Sequence, residues 1–237
     1  MDQPITDRVE REVRIPADAA SLGGDLTMPA GARGIVLFAH GSGSSRHSPR
    51  NVWVASQLQR AGLATLLFDL LTSAEEARDI HTREHRFDIP LLGQRLVHAS
   101  QWIASQPELR ALPLGYFGAS TGSAAALVAA FELDNRVRAV VSRGGRPDLA
   151  GDRLSDVRAP TLLIVGGLDR AVLELNEAAR SHLRCENGLA VVPGATHLFE
   201  EPGTLAAAAA LAREWFAGHL GGGPVPPAPG QAGVISP

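Results

Sequence analysis

The chain has 237 residues, 45% hydrophobic and 20% charged, which is enough for one well-buried α/β core. With 22 Lys and Arg against 25 Asp and Glu, the formal net charge is −3 and both signs are mixed along the chain, so the sequence encodes neither a basic face for nucleic acid nor a polybasic arm for a membrane. The single cysteine, Cys185, excludes an internal disulfide and a clustered thiolate metal site, and is expected to pack as a small hydrophobe. The first residues carry Asp2, Asp7 and Arg8 before any apolar stretch, unlike a secretory leader. No apolar run reaches the roughly 20 residues of a membrane span. A soluble, cytoplasmic protein is expected.

In chain order, short apolar runs alternate with longer segments of helical period, the pattern of parallel strands joined by crossover helices. Residues 9–15 and 22–28 alternate around a turn containing Pro and Gly and predict an antiparallel pair. Continuous apolar runs suited to strands buried on both faces follow at 34–39, 64–68, 114–117, 138–142, 161–165 and 189–192, making eight strands. Helices are predicted at about 51–61, 89–105, 121–133, 172–183 and 204–220. The last carries a core stripe of Leu205, Ala208, Ala212, Trp215 and Phe216 at three- and four-residue steps. The connection 144–160 is too short for a cap domain, so an open site is expected. Residues 1–220 are expected to form a single domain, and the Gly/Pro-rich segment 221–237 a disordered tail.

The chemistry begins at residues 113–122, PLGYFGASTG, where an apolar strand runs into Gly118-Ala119-Ser120-Thr121-Gly122 and then into a helix of small residues. Such a G-x-S-x-G turn lifts the serine above the sheet and needs small flanking residues to clear its neighbours. Ser120 is therefore a candidate nucleophile, and the Thr121 N–H, at the start of the helix, a candidate oxyanion donor.

A serine nucleophile needs a base at the carboxyl end of the sheet. His197, in the loop between the last strand and the last helix, fits that place better than the other seven histidines. His81, His85, His98, His182 and His219 fall in helical or pre-helical stretches and are expected to be solvated. The orienting acid is expected to be Asp169, which follows the strand at 161–165 through Gly166-Gly167-Leu168, with Asp148 as its rival after the preceding strand. The order Ser120, Asp169, His197 is that of α/β-hydrolase triads. The second oxyanion donor should come from the Gly/Ser-rich loop FAHGSGSSRHSPR, residues 38–50, opened by His40 and Gly41, with the Ser42 N–H preferred and the Gly43 N–H second. A Walker-type phosphate loop lacks its Gly-Lys-Ser/Thr here.

The H-G loop, the G-x-S-x-G elbow, the late G-G-x-D and the G-x-x-H segment together resemble the α/β-hydrolase superfamily from about residue 9 to 220, and within it the cap-less dienelactone-hydrolase-like group. The resemblance implies an eight-stranded, mostly parallel sheet with helices on both faces. Dienelactone hydrolase itself uses a cysteine nucleophile where this chain has Ser120, a departure that favours a general ester or lactone hydrolase.

Arg143 and Arg146, just after a strand, are candidates to clamp a substrate carboxylate, as are Arg46 and Arg50 from the H-G loop. Asp69 is expected to hold a loop. The expected activity is acyl-enzyme hydrolysis of a small ester or lactone, with no metal or organic cofactor and neither nucleic acid nor membrane as partner. A thioesterase, amidase, peptidase or acyltransferase would use the same triad, and a silent binding protein could use the same fold.

Overall fold

A computed structural model describes residues 8–221. They build an eight-stranded sheet in the order β1-β2-β4-β3-β5-β6-β7-β8. Strands β1 (Arg8–Ala17) and β2 (Ala20–Pro29) form an antiparallel ribbon, and β2 joins β4 (Ala64–Phe68) antiparallel. From β4 onward, β3 (Ile35–Ala39), β5 (Leu114–Ala119), β6 (Val137–Arg143), β7 (Thr161–Gly166) and β8 (Asn187–Val192) run parallel. Each strand lies within two residues of its expected bounds.

The central strands read as unbroken apolar runs because both faces are covered. In β3, Ile35, Leu37 and Ala39 enter one core while Val36 and Phe38 enter the other, and β5 divides Leu114 and Tyr116 from Phe117 in the same way. Helices α1 (Pro49–Arg60) and α6 (Thr204–Leu220) pack together on one face. The other face carries α3 (Ile89–Ser105), α4 (Thr121–Leu133) and α5 (Arg170–His182). The expected stripe of α6 is buried at Ala208, Ala212, Trp215 and Phe216, with Leu205 partly so. Among the described residues, no helix is long and apolar enough to cross a membrane.

Three elements are absent from the sequence prediction: helix α2 (Ser73–Thr82), a 3₁₀ turn at Asp134–Arg136 after α4, and a 3₁₀ segment after β6. Helix α2 buries only Asp79, so it has no apolar stripe to find. Its start is nevertheless written as a capping box, with Glu75 N–H donating to Thr72 Oγ1 at 3.2 Å and Thr72 N–H to Glu75 Oε2 at 2.7 Å. After β6 the chain forms a short 3₁₀ segment, Pro147–Asp156, kinked at Gly151, and no cap domain is present among the described residues. Of the tail expected at 221–237, all but Gly221 lies outside the described residues, as do residues 1–7.

Candidate active site

Strand β5 ends at Ala119 and α4 starts at Thr121, so Ser120 alone turns the chain. Its backbone has φ 50° and ψ −125°, in the half of conformational space that a side chain disfavours. Neighbouring backbone imposes the turn: Ser120 N–H donates to the Arg143 carbonyl at 3.3 Å, and the Ser120 carbonyl accepts from the N–H groups of Arg146 and Ser123, each at 3.1 Å. A Cβ at Gly118 would stand 2.5 Å from Ser123 Cα, and one at Gly122 would stand 2.2 Å from the Ala39 carbonyl oxygen. The Gly-x-Ser-x-Gly spacing is therefore a packing requirement where β3, β5 and α4 meet. Ser120 stays partly exposed, and its Oγ has no hydrogen-bond partner among the described residues.

The loops after β7 and β8 are laced together. Gly167 N–H donates to the Val192 carbonyl and Leu168 N–H to the Ala195 carbonyl, both at 2.9 Å. Gly166 permits this approach, because a Cβ there would lie 2.4 Å from the Ala195 oxygen. The result is a side-chain pair, with His197 Nδ1 donating to Asp169 Oδ2 at 2.7 Å. An ionised carboxylate only accepts, which assigns the proton to Nδ1 and leaves Nε2 as the acceptor. The acid sits deeper than the imidazole, with side chains 15% and 39% exposed. Ser120 and His197 meet the same stretch of chain: Ser120 N–H is bonded to Arg143, and at the next residue, Gly144, a Cβ would stand 3.7 Å from His197 Cε1.

The histidine loop has an anchor that sequence reasoning missed. Glu201 accepts from Thr196 N–H at 3.1 Å and from Thr196 Oγ1 at 2.6 Å. The Thr196 hydroxyl and then its N–H hold the Glu201 carboxyl below its ordinary range. Phe199, at φ 56°, then turns its ring into the core. A carboxylate four residues after the histidine is the one legible hint of this arrangement.

In the loop after β3, the buried His40 donates from Nδ1 to the Gly41 carbonyl at 2.9 Å and accepts at Nε2 from Leu70 N–H at 3.1 Å. It thus ties the exits of β3 and β4 together. Burial lowers its pKa and keeps the imidazole neutral, as one donating and one accepting nitrogen require. The Ser42 N–H, expected as an oxyanion donor, donates in this structure to Thr121 Oγ1 at 2.9 Å.

This loop and α2 border a cavity of about 290 Å³ lined by, among others, His40, Ser42, Gly43, Arg86 and Thr121. Arg86 is fixed at its wall by the buried Asp79. Arg86 Nε pairs with the carboxylate and Nη2 donates to the Asp79 carbonyl at 2.8 Å. Asp79 Oδ1 also takes the N–H groups of His85 and Arg86, at 2.7 and 3.1 Å. Burial alone would raise the Asp79 carboxyl, but the bonds from Arg86 and His85 outweigh it and hold the group below its ordinary range. The pair went unread because it rests on the unpredicted α2.

Of the arginines expected at the mouth, Arg146, Arg50 and Arg46 are paired with carboxylates and Arg143 is buried. Arg146 places both arms of its fork on Asp148, at 2.8 and 2.7 Å, which removes Arg146 as a free clamp and occupies Asp148 away from His197. Arg143 is only 7% exposed, with its guanidinium 5.9 Å from the Phe117 ring centre and 5.8 Å from that of Phe199. Burial, and then the nearby charge of Arg50, push its pKa down to about 10, so it remains a cation. It lies inside the α1 face of the sheet, with Nη2 donating to Asn51 Oδ1 at 3.4 Å and with Nε and Nη1 buried without a hydrogen-bond partner among the described residues. Arg50 pairs with Glu200 at 2.9 Å, and Arg46 is held by Asp69, whose Oδ1 also accepts Arg46 N–H at 2.9 Å, the loop-holding role expected of Asp69. Two histidines expected in solvent are largely buried, His98 and His219, with side chains 16% and 6% exposed. Each lies on the core-facing side of its helix, a distinction that the helical stretch as a whole does not reveal. Among the described residues, no group of three or more His, Cys, Asp or Glu is arranged to hold a metal ion.

No protein-family model matches the chain. Two proteins of Mycobacterium tuberculosis, from strains CDC 1551 / Oshkosh and ATCC 25618 / H37Rv, both provisionally named phosphoribosyl transferase, are 58% identical over 221 residues. That match covers 93% of this chain and 48% of theirs, so the chain spans about half the length of the curated relatives it matches. The crystal structure of dienelactone hydrolase from Anabaena variabilis ATCC 29413 is 57% identical with a TM-score of 0.89, over 90% of this chain and 99% of that one. Est1E from Butyrivibrio proteoclasticus, at 15% identity and a TM-score of 0.74 over 89% of this chain and 99% of its own, shares the fold. The likeness to the Anabaena protein reaches past fold to sequence over nearly its whole length, and the chain belongs to the dienelactone-hydrolase-like group of the α/β-hydrolases.

Proposed function

We propose that this chain is a serine hydrolase that cleaves a small carboxylic ester or lactone through an acyl-enzyme. The observation that carries the reading is the pairing of His197 Nδ1 with Asp169 Oδ2 at 2.7 Å, on loops that flank the strained turn at Ser120. In this mechanism Ser120 Oγ attacks the carbonyl carbon and its proton passes to His197 Nε2, while the carbonyl electrons move onto oxygen. The oxyanion is held by the Thr121 N–H at the start of α4. Collapse expels the alkoxide, which takes the proton from His197. Water then repeats the sequence on the acyl-enzyme and returns the proton to Ser120. Asp169 keeps the imidazole in the required tautomer and offsets its transient charge.

The dienelactone hydrolase name of the 57%-identical Anabaena protein supports an ester or lactone over an amide. The phosphoribosyl transferase name belongs to proteins of which this chain matches 48%, and the turn, base and acid described here suit acyl transfer to water. The test is covalent labelling with a fluorophosphonate, followed by a panel of nitrophenyl esters, thioesters and dienelactones, with Ser120→Ala as control. Labelling at Ser120 and ester or lactone turnover are expected. A wild-type chain that is neither labelled nor active would reject the reading in favour of a silent binding protein.

A further inference from the structure

The Ser42 N–H and the Thr121 side chain lie 79 residues apart in sequence and are joined at 2.9 Å, in the wall of a cavity also lined by Gly41, where a Cβ would stand 3.0 Å from Ser120 Cβ. We infer that the Thr121 hydroxyl is itself an oxyanion donor, standing in front of the Ser42 N–H, so that the hole is built from the N–H and the Oγ1–H of one residue. The inference rests on the serine-hydrolase reading above and changes which groups touch the developing charge.

Three observations support it. First, Thr121 Oγ1 accepts from Ser42 N–H, which leaves its own proton to donate, and among the described residues the one acceptor it reaches is Ser42 Oγ at 3.5 Å, the outer limit of a hydrogen bond. The proton is therefore available to a substrate oxygen. Second, Thr121 is 3% exposed and β-branched, so turning it aside to release the Ser42 N–H would move a packed side chain and strand a buried oxygen. Third, Thr121 is the first residue of α4, where its backbone N–H has no partner within the helix and is free for the same oxygen. A hydroxyl that already accepts a hydrogen bond is polarised into a better donor, which gives the Ser42 N–H a supporting place behind it.

The experiment compares Thr121→Val, which keeps the shape and removes the hydroxyl, with Thr121→Ser, which keeps the hydroxyl. On a nitrophenyl ester, Thr121→Val is expected to lose about 100-fold in kcat with KM little changed, and Thr121→Ser to recover most of it. Inhibition by a boronic acid, which mimics the tetrahedral oxyanion, should weaken by a similar factor in Thr121→Val, while binding of a non-reacting substrate analogue stays as in wild type. Should the valine variant not fold by circular dichroism, Thr121→Ala carries the same expectation without added bulk. A folded Thr121→Val or Thr121→Ala that turns over at the wild-type rate or faster overturns the inference and gives the role to the freed Ser42 N–H or to Gly43. Fluorophosphonate labelling of the wild type separates the two failures: without labelling the hydrolase reading falls and takes this inference with it, whereas labelling with unimpaired Thr121 variants removes only the hydroxyl.

Discussion

Leu168 N–H donates to the Ala195 carbonyl at 2.9 Å, so the segment that ends in Asp169 and the one that leads to His197 form a single backbone unit. The 2.7 Å pair between the two side chains is thus held from below as well as by its own hydrogen bond.

Replacing Asp169 should be far more costly than replacing its sequence rival. Asp169→Asn is expected to lower kcat on the order of 10⁴-fold, because the amide stabilises the wrong imidazole tautomer. Asp148 is bound to Arg146 through both oxygens, and Asp148→Asn should cost less than about tenfold. Steady-state kinetics on one ester decides the ranking, and the reverse order would move the acid to Asp148.

Ser120→Ala should fall on the order of 10⁶-fold in kcat while its thermal midpoint stays close to wild type. The Ser120 Oγ has no hydrogen-bond partner among the described residues, and alanine inherits the same backbone turn, so little packing is lost. Esterase activity persisting in a folded, purified variant would remove Ser120 from the mechanism.

Gly122→Ala is expected to destabilise the fold by about 2–3 kcal/mol, measured by urea denaturation. The added carbon would meet the Ala39 carbonyl oxygen at 2.2 Å, a backbone atom of the central strand β3 with little freedom to retreat. A variant as stable as wild type would show that β3 and α4 separate more easily than their packing implies.

His40 should make stability depend on acid. Burial lowers its pKa in the folded chain, whereas the unfolded chain takes up the proton near the ordinary value of about 6.5. The unfolded state therefore binds the proton first as pH falls, so this contribution is complete above about pH 6.5 and is lost progressively below it. In calorimetric melts at about pH 8 and about pH 5, the wild-type Tm should drop by more than that of His40→Asn, which has no imidazole to titrate. Equal drops would mean that His40 is not the group responsible.

Much of this molecule is legible without coordinates. Six of the eight strands follow from continuous apolar runs, since a strand covered on both faces has no polar face to interrupt it, and β1 and β2 follow from alternation. Gly118 and Gly122 announce the turn at Ser120 because no other residue clears the backbone there. The positions of Asp169 and His197 after β7 and β8 follow from the same strand pattern. Side-chain partners are another matter. Helix α2 escapes because its one buried residue is an aspartate; the fork expected of Arg146 is taken by Asp148, and that of Arg143 is buried between two aromatic rings. The capture of Ser42 N–H by Thr121 joins groups 79 residues apart. Periodicity and glycine placement are local consequences of backbone sterics and burial, so the sequence by itself determined them. Which donor meets which acceptor depends on distances of a few tenths of an ångström between segments remote in sequence, and only the folded chain decides those.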